Sequence, residues 1–246
     1  MENQKVALIT GANRGLGFET AKQLGERGIA VILAARKLQV AIEAAAKLVV
    51  LGINAYGIEL DITKHDDRVA AAAFINDKFG KLDILINNAG TGPKDEDLFE
   101  NKTVATSPDE FLHVFETNFF SQVYVTNEML PLLKKSEGGR IVNLSSLLGS
   151  LTVHAEVDGP LSTLKRLSYN SSKTALNAFT IHLAAELKDT KIKVNSAHPG
   201  HVQTELGGKE APMEIADGAK TSVELALIGE GGPTGRFIHL GEELPW

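Results

Sequence analysis

Near the start of the chain, a short apolar run is followed by three closely spaced glycines. Residues 6–9 are uniformly apolar, and Gly11, Gly15 and Gly17 come soon after them. Apolar residues then recur at helical spacing, so the pattern predicts a strand, a tight turn and a helix. Glycine lets the backbone of such a turn approach a pyrophosphate, and the N-terminus of the helix favours negative charge. The spacing G-x-x-x-G-x-G therefore indicates a pyrophosphate site, and a tight turn without a ligand is the alternative.

Strand-like and helical segments alternate along the rest of the chain. We predict strands at residues 6–9, 30–35, 53–60, 82–86, 141–144, 192–197 and 235–240, and helices after the glycine turn and at 39–51, 65–79, 109–133, 169–187 and 216–227. Strands as uniformly apolar as 30–35 are typical of a parallel sheet covered on both faces. The alternation predicts one α/β domain over residues 1–246, a Rossmann-like doubly wound parallel sheet with strand order 3-2-1-4-5-6-7.

The composition excludes several kinds of function. With 246 residues, 43% of them hydrophobic, the chain is long enough to bury one large core. The net charge is −6 and no long block of lysine or arginine occurs, so we expect no nucleic-acid or membrane partner. Cysteine is absent, which excludes disulfides and thiol chemistry. The N-terminal apolar run is too short for a transmembrane helix and lacks a signal-peptide profile, so we expect a cytoplasmic protein.

Polar or backbone features stand where five different strands end. They are the glycine turn, Asp61, Asn88, Ser146 and Pro199. The carboxyl ends of parallel strands share one edge of the sheet, which is where ligands bind in such folds. We therefore expect the functional site at this edge. Asp61 suits an acceptor for an adenine amino group and equally an N-cap of the next helix, and the amides before Gly90 suit a flat ligand or a simple turn.

The residue after the second strand indicates which nicotinamide coenzyme would fit. In dinucleotide folds an acid near this position binds the ribose 2′-hydroxyl, whereas an arginine accommodates a 2′-phosphate. Here Ala35 stands near where the acid would be, and Arg36 and Arg14 are both available. Two guanidinium groups can grip a phosphate, which favours NADP(H) over NAD(H). A solvated Arg36 at the start of a helix is the alternative.

Tyr169 and Lys173 are four residues apart in a predicted helix. Their side chains would lie on one face, about 6 Å apart along the axis. We expect the ammonium to favour phenolate and so to lower the tyrosine pKa from its ordinary value of about 10 toward working pH. A phenol tuned in this way can exchange a proton with a substrate oxygen. Without the rest of the chain, an ordinary solvated pair is the alternative.

Three loops complete the predicted edge. Segment 91–108 is expected to be mobile or variable, 147–167 to extend over the active edge, and the glycine-rich 201–213 to cover a substrate. His154 and His201 fall in two of these loops and are candidates for substrate contact. Asn118 lies in the middle of a predicted helix, where a buried amide needs a partner and an exposed one does not.

Together these residues resemble the short-chain dehydrogenase/reductase family over almost the whole chain. The matching motifs are Thr10-Gly11-x-x-x-Gly15-x-Gly17, Asn87-Asn88-Ala89-Gly90, Ser146, Tyr169-x-x-x-Lys173 and Pro199-Gly200, in the family's order and approximate spacing. The segments 10–15, 117–120 and 232–237 are similar to its carbonyl-reductase-like branch.

The resemblance implies roles for individual residues. Tyr169 would be the general acid in reduction and the base in oxidation, while Lys173 would lower its pKa and hold the nicotinamide ribose. Ser146 would hydrogen-bond the substrate carbonyl oxygen, Asn118 would hold a water in a proton relay, and Thr204 would contact the nicotinamide carboxamide. The implied coenzyme site consists of Gly11, Asn13, Arg14, Gly15, Leu16, Gly17, Arg36, Asp61, Ile62, Asn88, Ala89, Gly90, Tyr169, Lys173, Pro199, Gly200, Val202 and Thr204, and we expect the substrate to contact Ser146, Tyr169, His154 and His201.

NADPH-dependent reduction of aldehydes or ketones is the resulting hypothesis. An NAD-linked alcohol, sterol or sugar dehydrogenase and a non-catalytic NADP-binding regulator are the alternatives. No cluster of His, Asp and Glu has metal-ligand spacing, so we expect a small-molecule partner and no metal. Ser146 and Tyr169 are 23 positions apart, a spacing intermediate between the family's shortest members and its long monomeric relatives. Monomer and homo-oligomer therefore both stay open.

Overall fold

Seven strands lie parallel in one sheet within the described residues, and an eighth pairs antiparallel with the last of them. The computed structural model describes residues 4–94, 96, 102–156, 158–159 and 161–246. The strands are β1 (Val6–Thr10), β2 (Ala30–Ala35), β3 (Ala55–Glu59), β4 (Ile84–Asn87), β5 (Arg140–Leu144), β6 (Lys193–Ala197), β7 (Phe237–His239) and β8 (Glu242–Glu243). Their spatial order, β3-β2-β1-β4-β5-β6-β7-β8, contains the predicted order of the first seven strands.

The helices connect successive strands. They are α1 (Gly15–Gly25), α2 (Leu38–Val50), α3 (His65–Phe79), α4 (Pro108–Phe115), α5 (Ser121–Leu133), α6 (Leu151–Ala155), α7 (Leu167–Glu186), α8 (Ile215–Gly218) and α9 (Lys220–Leu227). A π-helical turn, Glu116–Phe120, joins α4 to α5, and short 3₁₀ turns occupy Thr103–Ala105 and Leu147–Gly149. In the described part of the chain, none of these helices combines the length and the apolar character needed to cross a bilayer.

The core is split between the two faces of the sheet. Because successive side chains of a strand point to opposite faces, Leu8 of β1 joins one cluster and Ile9 joins the other. The first cluster packs the sheet against α3, α5 and α7, and the second packs it against α1, α2 and α9. The uniformly apolar strands follow from this arrangement, since a sheet buried on both faces has no polar side.

The predicted elements are found with boundaries shifted by one or two residues, except that β2 and α3 have the predicted bounds. Gly80 ends α3 in the left-handed conformation, with φ of 72°. The predicted helix 109–133 is helical throughout, yet the π-helical turn divides it into α4 and α5. The predicted helix 216–227 divides into α8 and α9. Strand β8 was not predicted, because two acidic residues carry no apolar alternation.

Candidate active site

The glycine turn after β1 requires glycine at more than one position. Gly11 and Gly15 have positive φ angles of 63° and 58°, a conformation that other residues rarely adopt. A Cβ on Gly17 would lie 2.5 Å from Asn88 Nδ2. That amide donates to the carbonyl oxygens of Thr10 at 2.7 Å and of Gly11 at 3.2 Å. Asn88 therefore ties the end of β4 to the turn.

The N-terminus of α1 is suited to an anionic group. The helix begins at Gly15, no side chain of the described residues caps it, and no acid lies in its first turn. The first N–H groups of a helix have no intrahelical acceptor, and the helix dipole places partial positive charge there. The N–H groups of Gly15, Leu16 and Gly17 therefore fit a phosphate, and the half-buried Asn13 lies beside them.

The two predicted arginines differ in their surroundings. Arg14 forms an exposed ion pair with Glu205, which lies in segment 201–213. Arg36 follows β2 directly and is exposed, and no hydrogen bond or ion pair joins its side chain to the described residues. Arg36 is thus free to bind an anion at the carboxyl end of β2, whereas Arg14 must first leave Glu205.

The side chains of Asp61 and Ile62 both have partners within the protein. Asp61 Oδ1 accepts from the backbone N–H and the hydroxyl of Thr63 at 3.1 and 2.8 Å. The N-cap of α3 is Lys64, so the capping alternative for Asp61 is wrong and the carboxylate closes a turn before the helix. The Ile62 side chain lies in the core, and Arg68 donates to its carbonyl oxygen at 2.7 Å. Contact of either residue with a coenzyme stays a prediction.

Asn118 is fully buried, so the alternative of an exposed amide is wrong. Its Oδ1 accepts from Thr91 N at 2.8 Å, while its Nδ2 donates to Thr91 O at 2.9 Å and to Ser172 Oγ at 3.2 Å. A Cβ on Gly90 would lie 3.4 Å from Asn118 Oδ1 and 3.7 Å from Lys173 Nζ. The π-helical turn thus brings Asn118 between the end of β4 and α7. Its role in a proton relay stays a prediction.

The two serines that follow β5 have different partners. Ser145 is buried and donates to Asn177 Oδ1 at 2.6 Å. Ser146 Oγ accepts from Leu148 N at 3.2 Å, which leaves its own proton for another acceptor. Since Ser145 is committed to the core, Ser146 is the serine available to a substrate.

Tyr169 and Lys173 are both buried on α7, and Lys173 Nζ lies 5.7 Å from the centre of the tyrosine ring. Burial raises the pKa of Tyr169 to about 12, although hydrogen bonding by Ser146 and the charge of Arg166 act in the opposite direction. Burial also lowers the pKa of Lys173 to about 8. The expected lowering of the tyrosine pKa by the amine is therefore wrong for this structure, because loss of solvation outweighs the Ser146 hydrogen bond and the charge of Arg166.

Segment 201–213 extends across the carboxyl edge, and its covering of a substrate stays a prediction. A Cβ on Gly15 would lie 3.9 Å from the Thr204 methyl, and one on Gly92 would lie 2.5 Å from Leu206 Cδ1. The segment therefore spans from the glycine turn to the loop after β4. Val202 is buried and packs with Leu16 around Gly218. This packing places Val202 near the first turn of α1.

The histidines near the crevice have protein partners. Both ring nitrogens of His154 lie within hydrogen-bond distance of neighbours: Nδ1 with Lys165 Nζ at 3.0 Å, and Nε2 with Leu148 O at 3.1 Å and Asn170 Nδ2 at 3.2 Å. His201 is exposed, and its Nε2 lies 2.7 Å from Gly207 O. Substrate contact by either ring stays a prediction and requires it to leave these partners.

His198 joins two of the loops at the edge. Its Nδ1 lies 3.3 Å from Leu147 N and 3.4 Å from Gly200 N, so it acts as an acceptor for both. Burial and the nearby His239 lower the pKa of His198 to about 4, which keeps the ring neutral. The ring thereby fixes Pro199 and Gly200, two predicted coenzyme residues, beside the segment that follows Ser146.

Sequence reasoning missed two charged groups near Tyr169. Arg166 is the N-cap residue of α7, and its Nε is buried with no hydrogen-bond partner among the described residues. Glu96 is a buried carboxylate that hydrogen-bonds Ser168. The position of Arg166 three residues before Tyr169 was a usable signal, whereas Glu96 is 72 positions from Ser168 and gave none.

A cavity of about 600 Å³ lies away from these residues, at the amino edge of the sheet. Its lining includes Gln4, Asn54, Tyr56 and Lys78. Because no predicted site residue lines it, the cavity plays no part in the site described above.

The chain resembles known proteins both in sequence and in fold. The sequence model of a family described as short chain dehydrogenase matches residues 5–215. (−)-Isopiperitenone reductase of Mentha piperita is 32% identical, with 96% of each chain covered. That alignment extends over 305 positions, more than the 246 residues of this chain, so the relative carries insertions that this chain lacks.

Two solved structures are also similar. Carbonyl reductase Sniffer of D. melanogaster matches with a TM-score of 0.84 and 30% identity over 99% of this chain and 100% of that chain. An NADPH-bound carbonyl reductase from chicken fatty liver matches with a TM-score of 0.84 and 26% identity, with the same coverage of both chains. This chain thus shares its fold with each of the two reductases over almost the full length of both chains.

Proposed function

The chain belongs to the short-chain dehydrogenase family of oxidoreductases, and from this premise we propose that it reduces aldehydes or ketones to alcohols with NADPH. One observation carries the proposal: Tyr169 and Lys173 are buried together on α7, and Ser146 hydrogen-bonds the phenol. These residues lie at the edge of the sheet that also holds the glycine turn. The reductase names of similar proteins and the NADPH-bound neighbour support both the direction and the coenzyme.

Tyr169 is suited to act as the general acid. Because burial raises its pKa to about 12, the phenol keeps its proton at neutral pH and can give it to a carbonyl oxygen as that oxygen gains negative charge. Ser146, whose hydrogen bond acts on the phenol, can turn its hydroxyl proton to the same substrate oxygen. Lys173, when charged, stabilises the phenolate that remains. The bound coenzyme supplies the hydride that the carbonyl carbon accepts.

The coenzyme would be held by the backbone at the N-terminus of α1 and by the loops at the ends of β4 and β6. Its diphosphate would accept from the N–H groups of residues 15–17, and its 2′-phosphate would bind Arg36, with Arg14 as a second cation. Thr204 and Val202 lie in the segment that would cover the nicotinamide half. The unpaired state of Arg36 favours the phosphorylated coenzyme over NAD(H).

Replacing Tyr169 with Phe tests the function directly. The variant keeps the ring and its packing but removes the proton, so we expect kcat for carbonyl reduction to fall by roughly 10²–10⁴-fold. Binding of NADPH, followed by the change in coenzyme fluorescence, should stay within about twofold of wild type because the phosphate contacts are intact. A wild-type protein that binds NADPH but reduces no member of a broad carbonyl panel would point to a non-catalytic regulator instead.

A further inference from the structure

Glu96 is a buried acid in the loop after β4, with 5% of its surface exposed. Ser168 N donates to both carboxylate oxygens, at 3.1 and 3.2 Å, and Ser168 Oγ donates to Oε2 at 2.6 Å. Thr106 Oγ1 donates to Oε1 at 2.7 Å. The carboxylate is therefore held by three donor groups, two of which belong to one residue of α7.

This contact supplies a hydrogen-bond acceptor to the first turn of α7. Ser168 is the second residue of the helix, and in the part of the chain that the structure describes the N-cap residue, Arg166, makes no side-chain capping hydrogen bond. The first N–H groups of a helix lack intrahelical acceptors, and a negative charge there is favourable to the helix dipole. Glu96 thus supplies from 72 positions away what a local N-cap would normally supply.

A second contact joins the same loop to α7 one helical turn later. Asn118 bonds both backbone groups of Thr91 and donates to Ser172 Oγ at 3.2 Å. Ser168 and Ser172 are four residues apart, so they lie along one side of the helix. Each immediately precedes a catalytic candidate, Tyr169 or Lys173.

We propose that Glu96 is a positioning residue for Tyr169, which sets the phenol relative to the loop after β4 by holding the first turn of α7. The proposal rests on the proposed function, since it assigns Glu96 to the geometry of that reaction. The carboxylate exchanges no proton with the substrate. It acts through Ser168, and a displacement of the phenol by about 1 Å would be enough to slow the reaction by roughly 10²-fold.

Asp83 offers a matched control. It is also a buried carboxylate, with 4% of its surface exposed, and it accepts from Val6 N at 2.9 Å and from Ser136 Oγ at 2.6 Å. It precedes β4, so it lies at the amino edge of the sheet, opposite to the catalytic residues. Removal of Glu96 leaves one N–H and two hydroxyls without their acceptor, and removal of Asp83 leaves one N–H, one hydroxyl and the Lys81 ammonium. Of the two acids, Glu96 is the one whose described contacts reach α7.

The experiment compares Glu96→Ala, Glu96→Gln and Asp83→Ala in the full chain. We measure kcat and KM for a carbonyl substrate, the Kd of NADPH, and stability in denaturant. We expect Glu96→Ala to lower kcat by roughly 10–100-fold with the Kd of NADPH within about twofold, and Glu96→Gln, which keeps one acceptor oxygen, to recover part of kcat. Asp83→Ala should lose comparable stability and keep kcat within about twofold.

Amide hydrogen exchange gives a readout that does not depend on activity. We expect residues 167–173 to exchange faster in Glu96→Ala and at the wild-type rate in Asp83→Ala, because only the first variant loses the acceptor for α7. Unchanged exchange in this segment, or equal losses of kcat in Glu96→Ala and Asp83→Ala, would overturn the positioning role. If the wild type is inactive but the exchange pattern is as expected, the proposed reaction is wrong, while the stabilisation of α7 by Glu96 still stands.

Discussion

Lys173 Nζ lies 5.7 Å from the centre of the Tyr169 ring and donates to the carbonyl oxygen of Leu144 at 2.8 Å. Burial disfavours the charged form of each group, so it raises the pKa of the phenol to about 12 and lowers that of the amine to about 8. At neutral pH the pair is therefore a protonated phenol beside an amine close to its titration point.

The first prediction concerns the pH dependence of reduction. We expect kcat/KM to fall as pH rises through about 8, because Lys173 loses the charge that stabilises the phenolate while Tyr169 keeps its proton. The measurement is a pH profile with NADPH from about pH 6 to about pH 10. In Lys173→Arg, whose guanidinium stays charged, this decrease should disappear even if the absolute rate is lower. A wild-type rate that is constant over this range would contradict the assignment.

Coenzyme preference provides the second prediction. Arg36→Asp should raise the KM for NADPH by roughly 10–100-fold, because the variant loses a charge-assisted contact and places an acid near the 2′-phosphate. The KM for NADH should fall or stay the same. Lys37→Asp makes the same change of charge one residue further on and should alter either KM by less than about threefold. Equal effects of the two variants on NADPH would show that general charge, and not Arg36, sets the preference.

The third prediction concerns the glycine turn. Gly17→Ala would place a Cβ 2.5 Å from Asn88 Nδ2 and 2.7 Å from Gly11 O, so the turn must shift. We expect a loss of about 1–3 kcal/mol in the free energy of unfolding, together with weaker NADPH binding. Gly231→Ala serves as the control, since a Cβ there meets no described residue within 4 Å and its φ is not positive. Denaturant unfolding and NADPH titration of both variants provide the comparison.

Stability in acid gives the fourth prediction. Because the folded state lowers the pKa of His198 to about 4 from its ordinary 6.5, the unfolded chain binds more protons between these values. This contribution to stability is complete above pH 6.5 and is lost as pH falls toward 4, by an amount on the order of 1–3 kcal/mol. His198→Asn keeps a hydrogen-bond acceptor but does not titrate, so its unfolding free energy should decrease less between pH 7 and pH 5. Parallel decreases in the two proteins would exclude His198 as the source.

Local sequence patterns were sufficient for much of the fold and for the catalytic candidates. The bounds of α3 followed from helical spacing and Gly80, and Ser146, Tyr169 and Lys173 followed from short motifs that lie next to strand ends or on one helix face. These features depend on residues close together in sequence. Pattern reading is reliable for them because a turn or a helix face is decided locally.

Features that depend on burial or on distant contacts were missed. The pKa of Tyr169 was expected to fall, but its direction is set by the packing around α7. Asn118 lies in a π-helical turn and bonds Thr91 in the loop after β4 and Ser172 on α7, and the helical periodicity of residues 109–133 gives no sign of this turn. Glu96 lay in a polar loop that we expected to be mobile, and the neighbouring positions 95 and 97–101 lie outside the described residues.

The span of segment 201–213 over the glycine turn has a kinetic consequence. Thr204 lies next to Gly15 and Glu205 pairs with Arg14, so we expect the diphosphate of a coenzyme to displace this segment as it reaches the first turn of α1. In stopped-flow mixing, the observed rate of NADPH association should then level off at high concentration, at a first-order limit set by the opening of the protein. Glu205→Gln, which weakens the ion pair, should raise that plateau.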